Sequence, residues 1–336
     1  MSLIVADGKG NEKINEIDIH DVGLYHGRLR RFVVSAIKIR KIAFALDCDI
    51  YHFHDPELIF VGLSLKRKRK KVIFDMHENI PVDISEKEYI PKWIRKAVVA
   101  VYTLIERYSV RRFDAVITTI EGTTSRVRRY NPNVEFITNY PIVEDDHYHR
   151  EESPSATLCF AGGVIPNWQH KEIIQAVNPI PDIQYFLAGP DAVNYIQELR
   201  QLDGWHKVVY LGDIPFEEVK ELYRKSYIGV AIYIYCNRLD GHNGTLSVTK
   251  LFEFMQWEMP VICTDFVLWK RIIDEEKCGI CVNPYDIDAI RNAIQYLIDN
   301  PDEARQMGIN GRKAVLTKYN WKTQEEKLLS LYERIK

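Results

Sequence analysis

The sequence predicts an α/β protein built from two doubly wound, parallel-sheet domains. Three observations carry this prediction. Short β-branched runs alternate with longer segments of helical period through nearly the whole chain, and such alternation implies parallel strands with helices on both faces. Several of the predicted strands end in glycine or in an acid–histidine pair, as strand ends do where an open sheet meets a ligand. A single polar, acidic and aperiodic stretch, Pro141–Pro154 (PIVEDDHYHREESP), separates the two halves as a linker.

In chain order, Ser2–Asp7 (SLIVAD) reads as a strand followed by the turn Gly8-Lys9-Gly10. A doubly wound domain usually opens with a strand, a Gly-rich turn and a helix. Either that opening β-α unit is missing or the first domain is built without it. Asp49–His54, Lys71–Phe74 and Ala115–Thr119 read as buried strands, with helical periods over Pro56–Lys68 and Pro91–Arg112. Beyond the linker, strands are expected at Thr157–Ala161, Ile183–Ala188, Val208–Leu211, Ile228–Tyr235, Pro260–Thr264 and Gly279–Val282. Helices fall at 168–178, 191–202, 216–226, 249–257, 286–299 and 301–318. The amphipathic segment from Tyr319 has no strand after it, so it is expected to pack back on the first domain. The domains are thus 1–150 and 151–318, with 319–336 as a returning helix.

The chain has 336 residues, 46% hydrophobic and 27% charged, as a soluble globular protein has. No apolar run approaches the ~20 residues that span a bilayer, and no signal pattern opens the chain, so a cytoplasmic location is expected. The net charge of −2 hides an asymmetry: residues 1–150 hold 25 Lys/Arg against 21 Asp/Glu, and the remainder 20 against 26. The basic runs Lys66–Lys71, Arg111-Arg112 and Arg126–Arg129 read either as solvated helix ends or as a peripheral contact with an anionic membrane. No nucleic-acid motif accompanies them. Cys278 and Cys281 have CxxC spacing but no second pair, so buried reduced thiols are the expectation and no metal is assigned.

The most informative segment is Gly244–Cys263 (GTLSVTKLFEFMQWEMPVIC). A Gly/Thr/Ser loop runs into a helix whose first turn carries Lys250 and, on the same face, Glu253. Unsatisfied first-turn amides and the helix dipole favour an anion there. The same spacing also suits a plain amphipathic helix with a solvated Lys–Glu pair. Five strand ends could supply the rest of a cleft: His54-Asp55; Asp75 with His77-Glu78; Gly162-Gly163; Gly189-Pro190; and Gly212-Asp213. The glycines would admit phosphates close to the backbone.

With these segments in view, the chain resembles the GT-B glycosyltransferases of the large retaining group called family 4. The resemblance rests on an ordered set: YHFHDPELIFVGL, VIFDMHENIP, CFAGGVIPNW, FLAGP, YLGDIP, TKLFEFMQWEMPVIC, CGICVNP and PDEARQMGINGRKAVLTKYNW. It implies two Rossmann-like domains, with a nucleotide-sugar donor (UDP-, GDP- or ADP-linked) held mainly by the second and no cofactor required. Gly162 and Gly163 would face the diphosphate, Gly212 with Asp213 and Ile214 the nucleobase, and Gly189 and Pro190 would also bind the donor. Gly244, Thr245, Leu246, Ser247, Thr249 and Leu251 would cradle the phosphates, with Asn243 also binding the donor. Lys250 would offset leaving-group charge, Glu253 would bind ribose, and His77 would lie near the donor sugar. His54, Asp55, Asp75 and Glu78 would form the acceptor side.

Three departures stand out. Thr245 replaces the first acid of the family's Glu-x7-Glu signature. Val164 stands where an Arg is common, leaving Trp168 and Lys171 to shape that region. The opening glycine loop is not visible. The resemblance therefore implies either a glycosyltransferase of surface polysaccharide or glycoconjugate assembly, acting on a glycan or polyprenyl-linked acceptor with retention, or a catalytically degenerate scaffold module of the same fold.

Overall fold

The structure, a computed structural model, describes residues 1–27, 31–87, 90–143, 148, 150 and 156–336. It divides into two compact units, Met1–Ile137 with Glu326–Lys336, and Thr138–Glu325. Of the expected linker, residues 144–147, 149 and 151–154 lie outside the described residues.

The second unit holds six parallel strands: β8 (Thr157–Ala161), β9 (Gln184–Ala188), β10 (Val208–Gly212), β11 (Ile228–Ala231), β12 (Val261–Thr264) and β13 (Gly279–Val282). Their spatial order is β10-β9-β8-β11-β12-β13. Counted from β8, this is the 3-2-1-4-5-6 order of dinucleotide-binding sheets, whose direction of winding reverses between the first and fourth strands and leaves a crevice there. Strands such as IGVA and VICT are buried at every residue, which is why they read as continuous apolar runs rather than alternating ones. Leu158, Phe160, Ile173, Tyr185, Leu187 and Val230 form the centre of the core. Each such side chain contributes about 1.5–3 kcal/mol through burial.

The helices from His170–Val177 to Pro301–Thr317 fall much where the periodicities predict, except that Val267–Glu276, after β12, went unread. One expectation overran. The strand read as Ile228–Tyr235 stops at Ala231, because the Tyr233 amide bonds Thr264 Oγ1 and the Ile234 amide bonds the Asn167 carbonyl. The segment IYIY thus leaves the sheet and runs across its carboxyl end.

The first unit holds β4 (Ile50–Phe53), β5 (Lys71–Met76), β6 (Ala115–Thr118) and β7 (Val134–Phe136), all parallel and in that order. Its core centres on Phe53, stacked on Phe74 at 4.8 Å and edge-on to Phe113 at 5.6 Å. The long helix Lys92–Val110 and the helix Ile59–Arg67 pack in the same unit. The returning helix, Trp321–Ile335, contributes its residues from Glu326 onward to this unit, where Arg334 pairs with Glu135 at 2.7 Å. Among the described residues no helix is long and apolar enough to cross a membrane.

The opening of the chain differs from a standard strand–loop–helix unit. β1 (Ser2–Val5) pairs in parallel with β3 (Ile17–Asp21), which pairs antiparallel with β2 (Glu12–Ile14). The β2–β3 turn places Asn15 at φ 48° and Glu16 at φ 65°, the two positive angles of a type I′ hairpin. The Gly8-Lys9-Gly10 turn is closed from within. The Asp21 carboxylate accepts from the amides of Gly8 at 3.2 Å, Gly10 at 2.9 Å and Gly23 at 2.8 Å.

In the second unit the strand ends approach so closely that Gly189, at φ +131°, has no room for a side chain. A Cβ there would fall 1.8 Å from the Gly162 carbonyl oxygen. Gly189→Ala is therefore expected to destabilise the second unit by roughly 3 kcal/mol or more. Urea denaturation followed by tryptophan fluorescence checks this, and an unchanged midpoint would contradict the packing described.

Candidate active site

The glycine strand ends of the second unit gather at the carboxyl edge of its sheet, beside the point where the winding reverses. At the end of β8, the Gly162 amide bonds the Ala188 carbonyl at 2.9 Å and the Val164 amide bonds the Pro190 carbonyl at 3.0 Å. The Gly189 amide bonds the Gly212 carbonyl at 2.6 Å, so three successive strand ends are tied together through backbone alone. Gly163 is exposed, and a Cβ built on it would meet nothing within 4 Å. Asp213 is exposed and Ile214 half-buried beside this edge.

Lys250 reaches the same place from the other side. A Cβ on Gly162 would lie 3.2 Å from Lys250 Cε. Lys250 opens the seven-residue helix Lys250–Gln256. Its Nζ donates to Glu253 Oε2 at 2.6 Å, Tyr223 Oη donates to the same oxygen at 2.8 Å, and Thr249 Oγ1 donates to Oε1. Burial would raise the Glu253 pKa, but the Lys250 charge and the three hydrogen bonds outweigh it and hold the carboxyl below its ordinary value. Tyr223 stays protonated because burial and the neighbouring Glu253 push its pKa well up. The pair is thus a fixed part of the site, not a loose surface ion pair. Tyr223 was not singled out from sequence, since it comes from another helix, Phe216–Lys225, and no local spacing links it to Glu253.

The loop before this helix is held from below. Thr245 is fully buried; its hydroxyl bonds Ser247 Oγ at 3.0 Å and accepts from the Ser247 amide at 3.2 Å. The buried indole of Trp269 donates to the Thr245 carbonyl at 2.8 Å. Where the resemblance expects an acid, this chain therefore has a turn-forming hydroxyl. Gly244, at φ +75°, would bring a Cβ within 2.6 Å of Phe266. Leu246 and Leu251 are buried, so only their backbones can face a ligand. Asn243 uses its carbonyl to accept from the Leu268 amide and its side chain to reach Asp240. Trp168 packs on Phe160 and Tyr233, and Lys171 pairs with Glu198 at 3.7 Å.

In the first unit the polar strand ends converge on one carboxylate. Asp75 is buried, and its Oδ2 lies 3.3 Å from His52 Nε2, 3.3 Å from His54 Nδ1 and 3.4 Å from His77 Nε2. His54 Nδ1 and His77 Nε2 are themselves 2.9 Å apart, and His52 Nδ1 meets Tyr332 Oη at 2.6 Å. Burial alone would raise the Asp75 pKa; hydrogen bonds from the three histidines and the charge of His77 reverse this and hold it far below the carboxylate range. The hydrogen bond to Asp75 raises the His77 pKa above 6.5 against an opposing desolvation. Asp55 and Glu78 stand beside His54 and His77 on the wall of a cavity of about 1120 Å³. His52 was missed as a site residue, although it stands in β4 two positions before His54, which follows the strand; Tyr332 had no local signal. His52, His54 and Asp75 bring ligand atoms within 4.8 Å of one another and could hold a metal ion.

The basic runs are largely spoken for. Lys66 pairs with Asp114 at 2.6 Å, Lys70 with Asp47 at 2.9 Å, and Arg126 with the buried Glu106. Arg111 and Arg112 lie over the rings of Tyr130 and Tyr108. Cys278 is buried and its thiol is pushed up to about 12 by burial. Cys281 lies 3.8 Å from Cys263, not beside Cys278. The CxxC spacing therefore does not assemble a thiolate site.

Two parallel α/β units, one ending in a glycine-lined crevice beside a fixed lysine–glutamate pair, define a GT-B glycosyltransferase. The chain belongs to the family described as Glycosyl transferases group 1, which matches residues 144–314; Glycosyltransferase Family 4 matches residues 2–140. It is 23% identical over 310 residues to the putative glycosyltransferase EpsD of Bacillus subtilis, covering 86% of this chain and 77% of that protein. It is also 27% identical over 146 residues to the putative teichuronic acid biosynthesis glycosyltransferase TuaH of the same species, covering 44% of this chain and 36% of that protein. Among solved structures, sucrose-phosphate synthase of Thermosynechococcus elongatus superposes with a TM-score of 0.75 at 17% identity, covering 99% of this chain and 88% of that one. Anabaena HepE in complex with UDP and glucose superposes with a TM-score of 0.69 at 13% identity, covering 95% and 86%.

The Asp75–His77 contact has a direct titration signature. The His77 imidazole is expected to titrate with a midpoint above 6.5 by NMR, and Asp75→Asn to lower that midpoint. Because the folded value is raised, the stability His77 gains from Asp75 is complete below pH 6.5 and is lost as pH rises through the folded value. A His77 midpoint unmoved by Asp75→Asn would contradict the geometry.

Proposed function

We propose that this glycosyltransferase moves a sugar from a nucleoside diphosphate donor, bound by the second unit, to a hydroxyl of a glycan or lipid-linked acceptor on the first, with retention of configuration. The observation that carries the reading is Lys250, laid over Gly162 and fixed by Glu253 at the switch point of the sheet. As the anomeric C–O bond breaks, negative charge builds on the departing diphosphate. A preorganised ammonium at that point stabilises it without a divalent ion. Glu253 positions Lys250 through Oε2. Its Oε1 accepts only from Thr249 among the bonds described, which leaves capacity for one ribose hydroxyl.

The polar backbone around Gly162 and Gly163 suits the phosphates, and Asp213 with Ile214 suits the base. In the first unit we assign His77, anchored by Asp75, a catalytic role, with His54, Asp55 and Glu78 on the acceptor side. UDP is the first donor nucleotide to test, since HepE was solved with UDP and glucose; GDP and ADP follow. The relative named for teichuronic acid biosynthesis supports a place in surface polysaccharide assembly. The intact Lys250–Glu253–Tyr223 cluster favours an enzyme over a degenerate scaffold.

A thermal-shift screen of nucleotide sugars is expected to find one donor that raises Tm, since saturation at about a hundredfold Kd adds ~2.7 kcal/mol. Lys250→Ala is expected to lower kcat about 10²–10³-fold while the protein stays folded. Activity in EDTA should be unchanged, and the product's anomeric coupling in NMR should match the donor's. Wild-type transfer by Lys250→Ala would sink the proposal.

A further inference from the structure

One group of side chains in the first unit holds more lone pairs than its protons can satisfy. His52 of β4 and Asp75 of β5 flank the paired Phe53 and Phe74, so strand alternation points both away from the aromatic stack. His54 and His77 follow two positions on from each. The ionised Asp75 carboxylate can only accept. His54 Nδ1, His77 Nε2 and Asp75 Oδ2 form a triangle with edges of 2.9, 3.3 and 3.4 Å. No placement of protons satisfies all three edges. With a proton on each ring the two N–H groups meet head on along the shortest edge; with one proton fewer, a ring lone pair faces the carboxylate. Asp75 Oδ1 is also buried and, among the described residues, has no hydrogen-bond partner. An unmet carboxylate oxygen on a side chain only 10% exposed is costly unless a cation completes it.

The spacing is that of a metal tetrahedron. Ligands held about 2.0–2.1 Å from one Zn²⁺ at the tetrahedral angle lie ~3.3 Å apart. Asp75 Oδ2 lies 3.3 Å from His52 Nε2, 3.3 Å from His54 Nδ1 and 3.4 Å from His77 Nε2. His52, His54 and Asp75 bring ligand atoms within 4.8 Å of one another, so His54 and Asp75 belong to this group and to the triangle with His77. An outer partner is present as well. His52 Nδ1 meets Tyr332 Oη at 2.6 Å; an N–H donated there leaves the ring's lone pair on Nε2, facing Asp75. The surrounding charge agrees with a cation, since Asp55, Glu57 and Glu78 line the adjoining cavity against Lys87. Three imidazoles and one carboxylate suit a borderline ion such as Zn²⁺, and not Mg²⁺ or Ca²⁺, which take oxygen ligands.

We infer that His52, His54, Asp75 and His77 form a site for one Zn²⁺-class ion, and that the metal-loaded protein is the inactive form of the enzyme. Binding releases to solvent the protons that the rings hold and puts the metal on those nitrogens instead. The inhibitory half rests on the proposed function, which gives His77 a catalytic role and places His54 on the acceptor side. A ring nitrogen bound to metal can neither take nor give a proton there. On that reading transfer itself uses no metal, so the ion is a brake and not a cofactor.

The test titrates Co²⁺ and Zn²⁺ into the tag-free, metal-stripped full chain. Co²⁺ is expected to give the visible bands of a four-coordinate ion without thiolate charge transfer, and Zn²⁺ to bleach them where about a hundredfold excess of Mg²⁺ does not. By calorimetry, Tyr332→Phe is expected to weaken Zn²⁺ binding about tenfold or more, and His54→Ala and His77→Ala to weaken it further. Both histidines are exposed, so these variants should keep the wild-type circular dichroism. No metal uptake by the wild type, a six-coordinate Co²⁺ spectrum, or unchanged uptake by the His54→Ala/His77→Ala double variant would overturn the site. Transfer is expected to fall in step with Zn²⁺ occupancy and to return with EDTA; full transfer by the loaded protein would overturn the inhibition. A chain that transfers no sugar with or without metal would count against the proposed function, and the cobalt spectra would still decide the site.

Discussion

The second unit depends on a place where no side chain fits. The ends of β8 and β9 meet at Gly162 and Gly189 so closely that a methyl group on the latter would overlap a carbonyl oxygen. That closeness lets three strand ends share backbone hydrogen bonds and leaves Gly163 open to space. It also lets the Lys250 side chain lie against Gly162. Remove the constraint and the strands need not end level, and the lysine has no floor beneath it.

Around this point the unit uses burial to fix charge. A carboxylate is costly to bury unless it is paired and bonded. Glu253 meets that condition with a cation, a phenol and a threonine hydroxyl drawn from two helices. In the first unit Asp75 meets the same condition with three histidines, one of which is oriented by Tyr332. In each case the acid serves the group beside it: Glu253 holds an ammonium and Asp75 raises the pKa of the His77 imidazole. The two units share this device although their sheets differ in strand number.

Most of the second unit was legible in the sequence because its strands are buried on both faces and its helices have one apolar side. β8 and β13 were read to the residue. Ile228–Tyr235 was read too long because IYIY carries β propensity, while its hydrogen bonds go to Asn167 and Thr264, partners far away in sequence. In the first unit β2, β3 and β7 and the helices Ala36–Leu46, Ile80–Glu86 and Glu121–Arg128 went unread. They are short or exposed, so hydrophobic period says little about them. The candidate site was legible where its residues are neighbours in sequence, as Lys250 and Glu253 are. It was not where they meet only in space: Tyr223 reaches Glu253 across 30 positions and Tyr332 reaches His52 across 280. The role of Thr245 needed Ser247 and Trp269 to become visible.

The turn at Gly8–Gly10 shows what it means for a loop to carry its own anion. Its amides already bind a carboxylate, that of Asp21. Because Asp21 is tethered, its effective concentration at the loop is set by the chain and cannot be diluted away, as a diffusing phosphate can. The loop is therefore ordered without a ligand and offers those amides to none. The three amide bonds, from Gly23, Gly10 and Gly8, hold the Asp21 carboxyl below its usual value.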